Sequence, residues 1–381
     1  MKNRISQPYN IYVISSTHNF PKVSLASNNK ISLIAKGLDN GKFRMTVCDS
    51  INGNKDDFEL EKFEDFDVIR FRKKYFCNYL INLFHFIKYA VKDSNSLIMS
   101  SLTTYSYKDL LLIFVLKYFI GIKFIFIFHE LHESFAHNYI TRIKHHYLDI
   151  FACKMASLVL PISHYLTDFA RKYNGNIESL PIIYNYEYKI SLSQNYKKGL
   201  FSYCGTVAYL RTIKRIIDVM KCVRIEYPQV EVNLIVSGNP TQVQRLMKEY
   251  EEDTFIHFYT EISIQKLFEL YNESYALLIP LDEKNLQDRA RFSQKIAEYI
   301  STKRPIITNS VGEIPYYFKD GKNAFIMDSI EKEFFISKIK NIMKMDSQEV
   351  SLIGEEGYKV GVANFDYKVV MDKVGRAMCK L

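Results

Sequence analysis

Residues 278–315 read LIPLDEKNLQDRARFSQKIAEYISTKRPIITNSVGEIP. The run begins with the end of one apolar, strand-like segment, 276–280, and contains another, 305–308. Between them, apolar residues recur at helical spacing from about Ser293, a residue type that caps helix N-termini. Strand, helix and strand in this order are typical of a parallel sheet covered by helices.

The same alternation extends over the whole chain and predicts an α/β protein with two units. A helical pattern covers 31–38, and strand-like runs occupy 11–15, 43–48, 68–71, 97–99, 123–128 and 158–160 in the first half and 201–204, 232–236, 256–259, 276–280, 305–308 and 324–326 in the second. Residues 184–198 are polar, rich in tyrosine and without clear periodicity. They separate the two series as a linker would.

We therefore predict an N-terminal Rossmann-like domain over 1–185, a linker over 186–200 and a second Rossmann-like domain over 201–349. The helical segment 350–381 is expected to pack back across the linker. Ligands of parallel sheets bind beyond the carboxyl ends of the strands, so we expect the site in a cleft between the two domains.

Composition excludes several classes of protein. The chain has 381 residues, 48% hydrophobic and 24% charged, as globular proteins of two or three domains do. The net charge of +9 suits phosphorylated ligands or an anionic membrane, and it is equally consistent with a charge that serves only solubility. The sequence has no basic run with interleaved aromatics on a recognisable module, so nucleic-acid binding is not predicted. Six irregularly spaced cysteines without a C-x-x-C pair favour reduced core thiols over a metal or disulfide framework.

The N-terminus lacks the apolar stretch and cleavage site of a secretory signal, so we expect a cytoplasmic protein. Residues 110–128 are apolar over roughly the length of a membrane-spanning helix. Lys117, Gly121 and Lys123 interrupt them. We predict a helix that ends near Ile120, a turn at Gly121 and a buried strand, rather than a single span.

The helix that starts near Ser293 offers a candidate anion site. Arg291 lies just before the helix, and Lys295 and Glu298 share one face because they are three residues apart. Free backbone N–H groups and the helix dipole attract an anion to such an N-terminus. Arg291, Lys295 and the helix start are therefore a plausible diphosphate site, and Glu298 could accept hydrogen bonds from ribose hydroxyls. The alternative is a solvated charged face with an ordinary salt bridge.

These residues resemble the donor-site signature of GT-B retaining glycosyltransferases, in particular glycosyltransferase family 4. The resemblance lies in the runs KIAEYI (295–300), KRPII (303–307) and VGEIP (311–315). It implies two facing Rossmann-like domains, with Glu298 holding the donor ribose and Lys295 contacting phosphate. Many members carry a second glutamate eight residues before the first; here that position is alanine, which leaves more of the sugar binding to loop amides.

A second match, CGTVAYLRTI (204–213), opens the C-terminal domain. Gly205 permits close backbone approach to a ligand, and Thr206 follows it at the predicted strand end. Arg211 falls where the family has its phosphate-binding lysine, and arginine binds phosphate bidentately. Gly238 follows the next strand at the same edge of the sheet. An ordinary strand–turn–helix with incidental basic residues is the alternative.

Residues 128–133 (FHELHE) directly follow a buried strand. They resemble the H-E-L segment at the corresponding strand end of several family members, which implies that His129 contacts the donor or acceptor sugar. The alternative is a loop histidine that caps the next helix. A zinc-protease helix needs histidines four apart, whereas His129 and His132 are three apart and His132 and His137 five, so no metal site is predicted.

The resemblance implies a retaining transferase that moves a sugar from a nucleotide-diphospho-sugar to a glycan or lipid-linked acceptor, in surface polysaccharide or glycoconjugate synthesis. Arg211, Lys295 and the helix N-terminus would stabilise the leaving diphosphate. No cofactor is expected, because the nucleotide sugar is a co-substrate. The loop 15–22 lacks the family's Gly-Gly pair and leaves the acceptor open. Alternatives are a nucleotide-sugar epimerase of the same fold and a non-catalytic sugar-nucleotide-binding partner, which Ala290 favours.

An anionic membrane is a further candidate partner. The basic run 70–76 leads into an apolar, aromatic-rich segment that ends near Lys92. Basic residues and exposed aromatics together bind anionic leaflets, so peripheral contact with the inner face of a membrane is one prediction. A buried helix that covers the sheet is the alternative.

Overall fold

The computed structural model describes residues 9–18, 20–21, 26–38, 42–51, 59–72, 95–101, 107–187 and 196–381. The chain divides into two compact units. Unit 1 comprises Met1–Ile183, Ala290–Phe292 and Tyr367–Leu381. Unit 2 comprises Tyr184–Arg289 and Ser293–Asp366.

Unit 1 is built on a seven-stranded sheet. Its strands are β1 (Tyr9–His18), β2 (Phe43–Ile51), β3 (Glu59–Lys62), β4 (Phe66–Arg72), β5 (Ser96–Ser101), β6 (Lys123–Phe128) and β7 (Leu158–Pro161). They lie in the order β3-β4-β2-β1-β5-β6-β7, and every neighbouring pair is parallel except β3 and β4.

Unit 2 is built on a six-stranded parallel sheet. Its strands are β8 (Leu200–Thr206), β9 (Glu231–Ser237), β10 (Ile256–Tyr259), β11 (Ala276–Leu278), β12 (Ile306–Asn309) and β13 (Phe325–Met327). The order is β10-β9-β8-β11-β12-β13, so that β8 and β11 are central.

Helices follow most of the strands. They are α1 (Ala26–Leu38), α2 (Tyr107–Ile120), α3 (Tyr139–Met155), α4 (His164–Arg171), α5 (Leu210–Arg224), α6 (Pro240–Glu249), α7 (Ile264–Glu273), α8 (Leu286–Ala290), α9 (Gln294–Ser301), α10 (Ile314–Tyr317), α11 (Lys332–Lys344), α12 (Ser347–Phe365) and α13 (Tyr367–Met378). Short 3-10 turns cover His132–Phe135 and Val207–Tyr209.

The apolar strands are buried because helices cover parallel sheets on both faces. In β6, every residue from Phe124 to Phe128 is buried. Gly121 adopts a φ of 83° and ends α2 before β6 begins. The predicted helix, turn and strand over 110–128 are therefore confirmed. Among the described residues, no helix is long and apolar enough to cross a membrane.

The predicted strand-like runs all correspond to strands of the structure, and the predicted α/β class with two parallel-sheet units is confirmed. The antiparallel edge strand β3 was not predicted. The C-terminal region, predicted as one segment from 350, is divided between the units: α12 belongs to unit 2 and α13 to unit 1. Within unit 1, α13 packs against α1 so closely that a Cβ atom at Gly37 would lie 2.4 Å from Cγ of Met371.

One residue of the predicted membrane-docking run has a different role. Arg70 is buried in β4, where its guanidinium donates to Oδ2 of Asp49 at 2.9 Å, to Glu61 at 2.8 and 2.9 Å and to the Phe20 carbonyl at 2.9 Å. The prediction that Arg70 serves as a solvated or docking cation is wrong, because these partners satisfy its charge inside the unit. Residues 73–94, which contain most of that run, lie outside the described residues.

Candidate donor site and the histidine cluster

Helix α9 brings two of the predicted donor residues to the carboxyl end of β8. Lys295 lies in its first turn, and its Nζ atom donates to Sγ of Cys204 at 3.3 Å. Glu298 lies one turn further on the same helix, and both side chains are half-buried. Burial raises the pKa of Glu298, and the nearby Lys295 ammonium partly opposes this shift. The predicted juxtaposition of a cation and a carboxyl group at this edge of the sheet is present.

Two buried tyrosines fix α9 to the sheet. The backbone N–H of Cys204 donates to the hydroxyl of Tyr299 at 2.8 Å, and the Tyr299 ring packs edge-on against Tyr271 of α7 at 4.9 Å. Burial raises the pKa of both hydroxyls well above the ordinary value. Both tyrosines are therefore neutral, and they orient the helix turn that carries Lys295 and Glu298.

The loop before α9 is held by β12 and by its own backbone. Asn309 exchanges two hydrogen bonds of 2.8 Å with the backbone of Leu281, and Oδ2 of Asp288 accepts from the N–H of Asp282 at 2.9 Å. Gly312 has a φ of 59°, and a Cβ atom there would lie 2.8 Å from the Asp288 carbonyl oxygen. Only glycine allows this approach at low cost. The family-like run 311–315 thus packs directly against the loop.

Ser293, Arg291 and Ala290 lie where α9 begins. Ser293 is the N-cap residue as predicted, but its side chain makes no capping hydrogen bond. Ala290 and Arg291 group with unit 1. The Ala290 carbonyl there accepts a short hydrogen bond from the Ser163 hydroxyl. The positive charge of Arg291 lowers the pKa of Glu130. Ala290 is 1% exposed, so its methyl group occupies a closed position.

The predicted glycine and threonine, Gly205 and Thr206, are the last two residues of β8. Thr206 caps the following 3-10 turn by accepting from the N–H of Ala208 at 3.3 Å. Gly238, after the neighbouring strand β9, has a φ of 121°, and a Cβ atom there would lie 3.0 Å from the Val207 side chain. Both turns follow carboxyl strand ends, at the edge where parallel sheets bind ligands.

Arg211 is exposed in the first turn of α5 and lines a surface cavity of about 530 Å³ with residues of α5 and with Glu331 and Lys332. Neither Lys295 nor Glu298 lines this cavity. Lys214, one turn after Arg211, is bound to Glu249 at 2.5 Å. The structure therefore brings Lys295 and Glu298 together, while Arg211 lines a surface cavity of the same unit that neither of them lines.

In unit 1, His129 and Glu130 follow β6 as expected. Both are half-buried, and Nδ1 of His129 is buried without a hydrogen-bond partner among the described residues. Burial lowers the pKa of His129 to about 3, assisted by the nearby charges of Lys30 and His132. Burial also lowers the pKa of Lys30 to about 8, and the nearby charge of Glu130 partly opposes this shift. Burial raises the pKa of Glu130, whereas the charges of Arg291, His132 and Lys30 lower it. His129 is therefore a neutral imidazole beside a group of opposite charges.

His132 has a structural role in the same turn. Its backbone N–H donates to Asp149 of α3 at 3.0 Å, its ring Nδ1 makes a short hydrogen bond to the other oxygen of Asp149, and its carbonyl accepts from Nδ1 of His145 at 3.0 Å. These bonds tie the segment after β6 to α3 and so position His129. Among the described residues, no group of three or more His, Cys, Asp or Glu side chains could hold a metal ion.

Sequence reasoning missed several members of these two clusters. Cys204, Tyr271 and Tyr299 surround the base of α9, and Lys30 faces the segment after β6. No local pattern identifies them, because their partners lie far away in the sequence. The histidine motif and the donor signature were the signals that pointed to these strand ends.

The fold defines the class of protein: two parallel-sheet units of the kind found in GT-B proteins. Sucrose-phosphate synthase from Thermosynechococcus elongatus is similar, with a TM-score of 0.74 at 15% identity over 98% of each chain. An α,α-trehalose-phosphate synthase (UDP-forming) from Burkholderia xenovorans, in complex with glucose-6-phosphate, has a TM-score of 0.69 at 11% identity over 97% of this chain and 100% of that one. HepE of Anabaena, in complex with UDP and glucose, has a TM-score of 0.68 at 14% identity over 98% of this chain and 100% of that one.

The sequence of unit 2 makes the assignment more specific. Residues 198–345 match the profile of the family described as Glycosyl transferases group 1. No curated protein matches the chain in sequence. The fold and the family match together confirm the resemblance to GT-B glycosyltransferases inferred from the motifs. The match extends from just before β8 through α11 and so contains Cys204, Lys295 and Glu298.

Proposed function

We propose that this chain is a glycosyltransferase that moves a sugar from a nucleotide-diphospho-sugar to a glycan or lipid-linked acceptor, with retention of the anomeric configuration. The observation that carries the proposal is the Lys295–Glu298 pair on α9, beside the end of β8 and within the segment that matches Glycosyl transferases group 1. The proteins with the same fold include HepE, which is in complex with UDP and glucose.

In this proposal, Lys295 and the free N–H groups at the start of α9 bind the diphosphate. The departing phosphate gains negative charge as its bond to the sugar breaks, and a fixed ammonium beside a helix N-terminus stabilises that charge. Arg211, which lies in an exposed first helical turn, supplies a further cation to the nucleotide. Ser293, Thr206 and the backbone at Gly205 and Gly238 complete the donor-binding edge.

Glu298 binds the ribose hydroxyls. Its burial raises its pKa, so the free protein holds a carboxylate that is short of solvation. Two hydroxyl donors would replace the missing water, and charge-assisted hydrogen bonds of this kind contribute about 1.5–3 kcal/mol each. The unfavourable burial of Glu298 in the free protein therefore becomes favourable in the donor complex.

His129 contacts the transferred sugar or the acceptor. Its low pKa keeps the imidazole neutral, so it acts as a hydrogen-bonding group rather than as a cation. Arg291 belongs to the same charged group through Glu130. In the transfer, the bond from the sugar carbon to the phosphate oxygen breaks, a bond to the acceptor oxygen forms on the same face, and the acceptor proton passes to the departing phosphate.

The test compares two pairs of residues with identical spacing. Lys295→Ala and Glu298→Gln should each lower donor affinity about tenfold or more, since each removes a charge-assisted contact. Lys266→Ala and Glu269→Gln are the matched controls, because this exposed pair on α7 also lies three residues apart, with the charged atoms at 3.4 Å. Donor affinity is measured by calorimetry with a panel of nucleotide sugars. Unchanged affinity in both α9 variants would refute the assignment.

A second candidate function is a non-catalytic sugar-nucleotide-binding partner, which the buried methyl group of Ala290 favours. An epimerase of the same fold is the remaining alternative. Incubation of labelled donor with a lipid or glycan extract distinguishes the three functions. Label in a larger product indicates transfer, an isomerised donor indicates epimerisation, and tight binding without either product indicates the silent partner.

A further inference from the structure

Unit 1 exposes a continuous apolar surface on two neighbouring helices, named here the α2–α3 face. Large apolar side chains are normally exposed singly, and contiguous groups of them mark interaction sites. On α2, Phe119 is 78% exposed, and on α3, Tyr147 is 65% exposed. The face consists of six side chains that are all exposed: Tyr118, Phe119, Ile140, Ile143, Tyr147 and Phe151.

The two helices form one surface because Phe114 links them. Its ring lies 4.8 Å from Tyr118 on its own helix and 6.3 Å from Phe151 on α3. Lys117 of α2 also donates a hydrogen bond to the carbonyl of Met155, at the end of α3. The apolar strip therefore continues from the start of α3 along its outer side and onto the end of α2.

The charges on this face have one sign. Positions 140, 143, 147 and 151 recur every three or four residues and so share one side of α3, and Lys144 and Lys154 fall on the same side. Both lysines are exposed. The single acidic residue in the sequence of α3, Asp149, is fully buried and bound to His132. Among the residues that the structure describes, neither lysine forms an ion pair with a carboxylate.

We propose that the α2–α3 face docks unit 1 on an anionic phospholipid bilayer. Aromatic and aliphatic side chains enter the interface between head groups and acyl chains, tyrosine keeps its hydroxyl in the polar layer, and lysines bind the head-group phosphates. A second copy of the chain fits this face less well, because an isologous contact would pair two surfaces that both carry lysines and no carboxylate on the outer side of α3. A bilayer supplies both the apolar layer and the anions.

This inference goes beyond the proposed transferase activity, and the docking itself does not depend on it. It concerns residues other than the segment 70–92, for which membrane docking stays a prediction. Where the two proposals are joined, they indicate that the acceptor is presented by a lipid at the surface on which unit 1 rests.

The experiment measures co-sedimentation of the full chain with vesicles of phosphatidylcholine alone and of phosphatidylcholine with phosphatidylglycerol. We expect binding to the anionic vesicles, which weakens from low to physiological salt. The double variant Lys144→Glu, Lys154→Glu should weaken it at least about tenfold, since each basic residue near an anionic surface contributes about 1 kcal/mol. Phe119→Ser with Tyr147→Ser should weaken it by at least a similar factor, because two aromatic side chains that enter the bilayer interface are lost.

Matched controls lie in unit 2. Lys248→Glu with Lys319→Glu changes the net charge equally at two exposed positions, and Ile225→Ser removes a side chain that is 86% exposed. These controls should bind vesicles as the unaltered chain does. Equal losses in controls and test variants, or equal binding to neutral and anionic vesicles, would overturn the proposal. So would vesicle-independent dimerisation that Phe119→Ser abolishes, since that result would assign the face to a second copy. Calorimetric donor binding by the same variants shows whether unit 2 is intact.

Discussion

Substitution of Gly354 by alanine tests how closely α12 packs against the turn that follows α9. A Cβ atom at Gly354 would lie 2.1 Å from the carbonyl oxygen of Lys303 and 2.9 Å from the backbone nitrogen of Pro305. Lys303 has a φ of 59°, an uncommon conformation for a residue with a side chain, in the turn that joins α9 to β12. The atoms that must yield are therefore backbone atoms of a constrained turn.

The magnitude follows from the geometry. To restore a separation of 3.0 Å, the Lys303 carbonyl would have to move by about 0.9 Å. Overpacking of this kind costs about 1–3 kcal/mol, with the upper end expected for backbone, and the higher helix propensity of alanine returns about 1 kcal/mol. We expect Gly354→Ala to destabilise the chain by about 2 kcal/mol.

A matched substitution lies two turns further along α12. A Cβ atom at Gly361 would meet Oη of Tyr186 at 2.3 Å and the Ile300 side chain at 2.8 Å. Side-chain ends move more easily than backbone, so Gly361→Ala should destabilise by less than about 1 kcal/mol. Both variants present the same chemical change on the same helix.

Urea unfolding followed by circular dichroism gives the free energies of unfolding, and hydrogen exchange of the peptide 299–309 reports on the turn itself. We expect faster exchange of this peptide in Gly354→Ala than in Gly361→Ala. If Gly354→Ala is as stable as Gly361→Ala, or its turn exchanges no faster, the reasoning from backbone contact is refuted.

Three further predictions concern the site. Glu298→Gln should make the donor-free protein more stable at neutral pH, because a carboxyl group with a raised pKa favours folding below its ordinary pKa of 4.5 and loses that contribution as pH rises through the folded value; the difference should disappear in acid unfolding curves below that pH. The pKa of His129 falls from 6.5 to about 3 on folding, so its contribution to stability is lost as pH decreases across this range, and His129→Asn should flatten the decline measured by urea unfolding; parallel curves would contradict this. Glycosyl transfer should survive exhaustive EDTA treatment, and loss of activity that a divalent ion restores would count against cation catalysis by Lys295 and Arg211.

The strands could be predicted from sequence because their apolar runs are continuous. The residues 123–128 read KFIFIF, and their burial on both faces of a parallel sheet demands such a run. The edge strand β3 escaped prediction because its sequence is ELEK. It pairs with β4, where Arg70 binds Glu61 across the sheet edge. An edge strand with one charged side has no apolar pattern to detect.

The candidate site was predictable only where local spacing determines it. Lys295 and Glu298 share a helix face because they are three residues apart, and Ser293 begins that helix as its residue type suggests. The contact between Lys295 and Cys204 joins residues 91 positions apart, which no local pattern specifies. Likewise, the hydrogen bond from His132 to Asp149 depends on how α3 packs beside β6. Tertiary packing, rather than propensity, selects these partners.

The path of the chain through the two units also has a consequence for synthesis. A ribosome releases Met1–Ile183 first, but α13, which packs against α1 at Gly37 and contributes Val370, Met371 and Val374 to the unit 1 core, follows all of unit 2. Domains generally fold as units while translation proceeds from the N-terminus. Unit 2 therefore can complete its core before unit 1. The unit whose strands leave the ribosome first is the one whose core is completed last. Until then, the α13-binding surface of α1 stays open to chaperones.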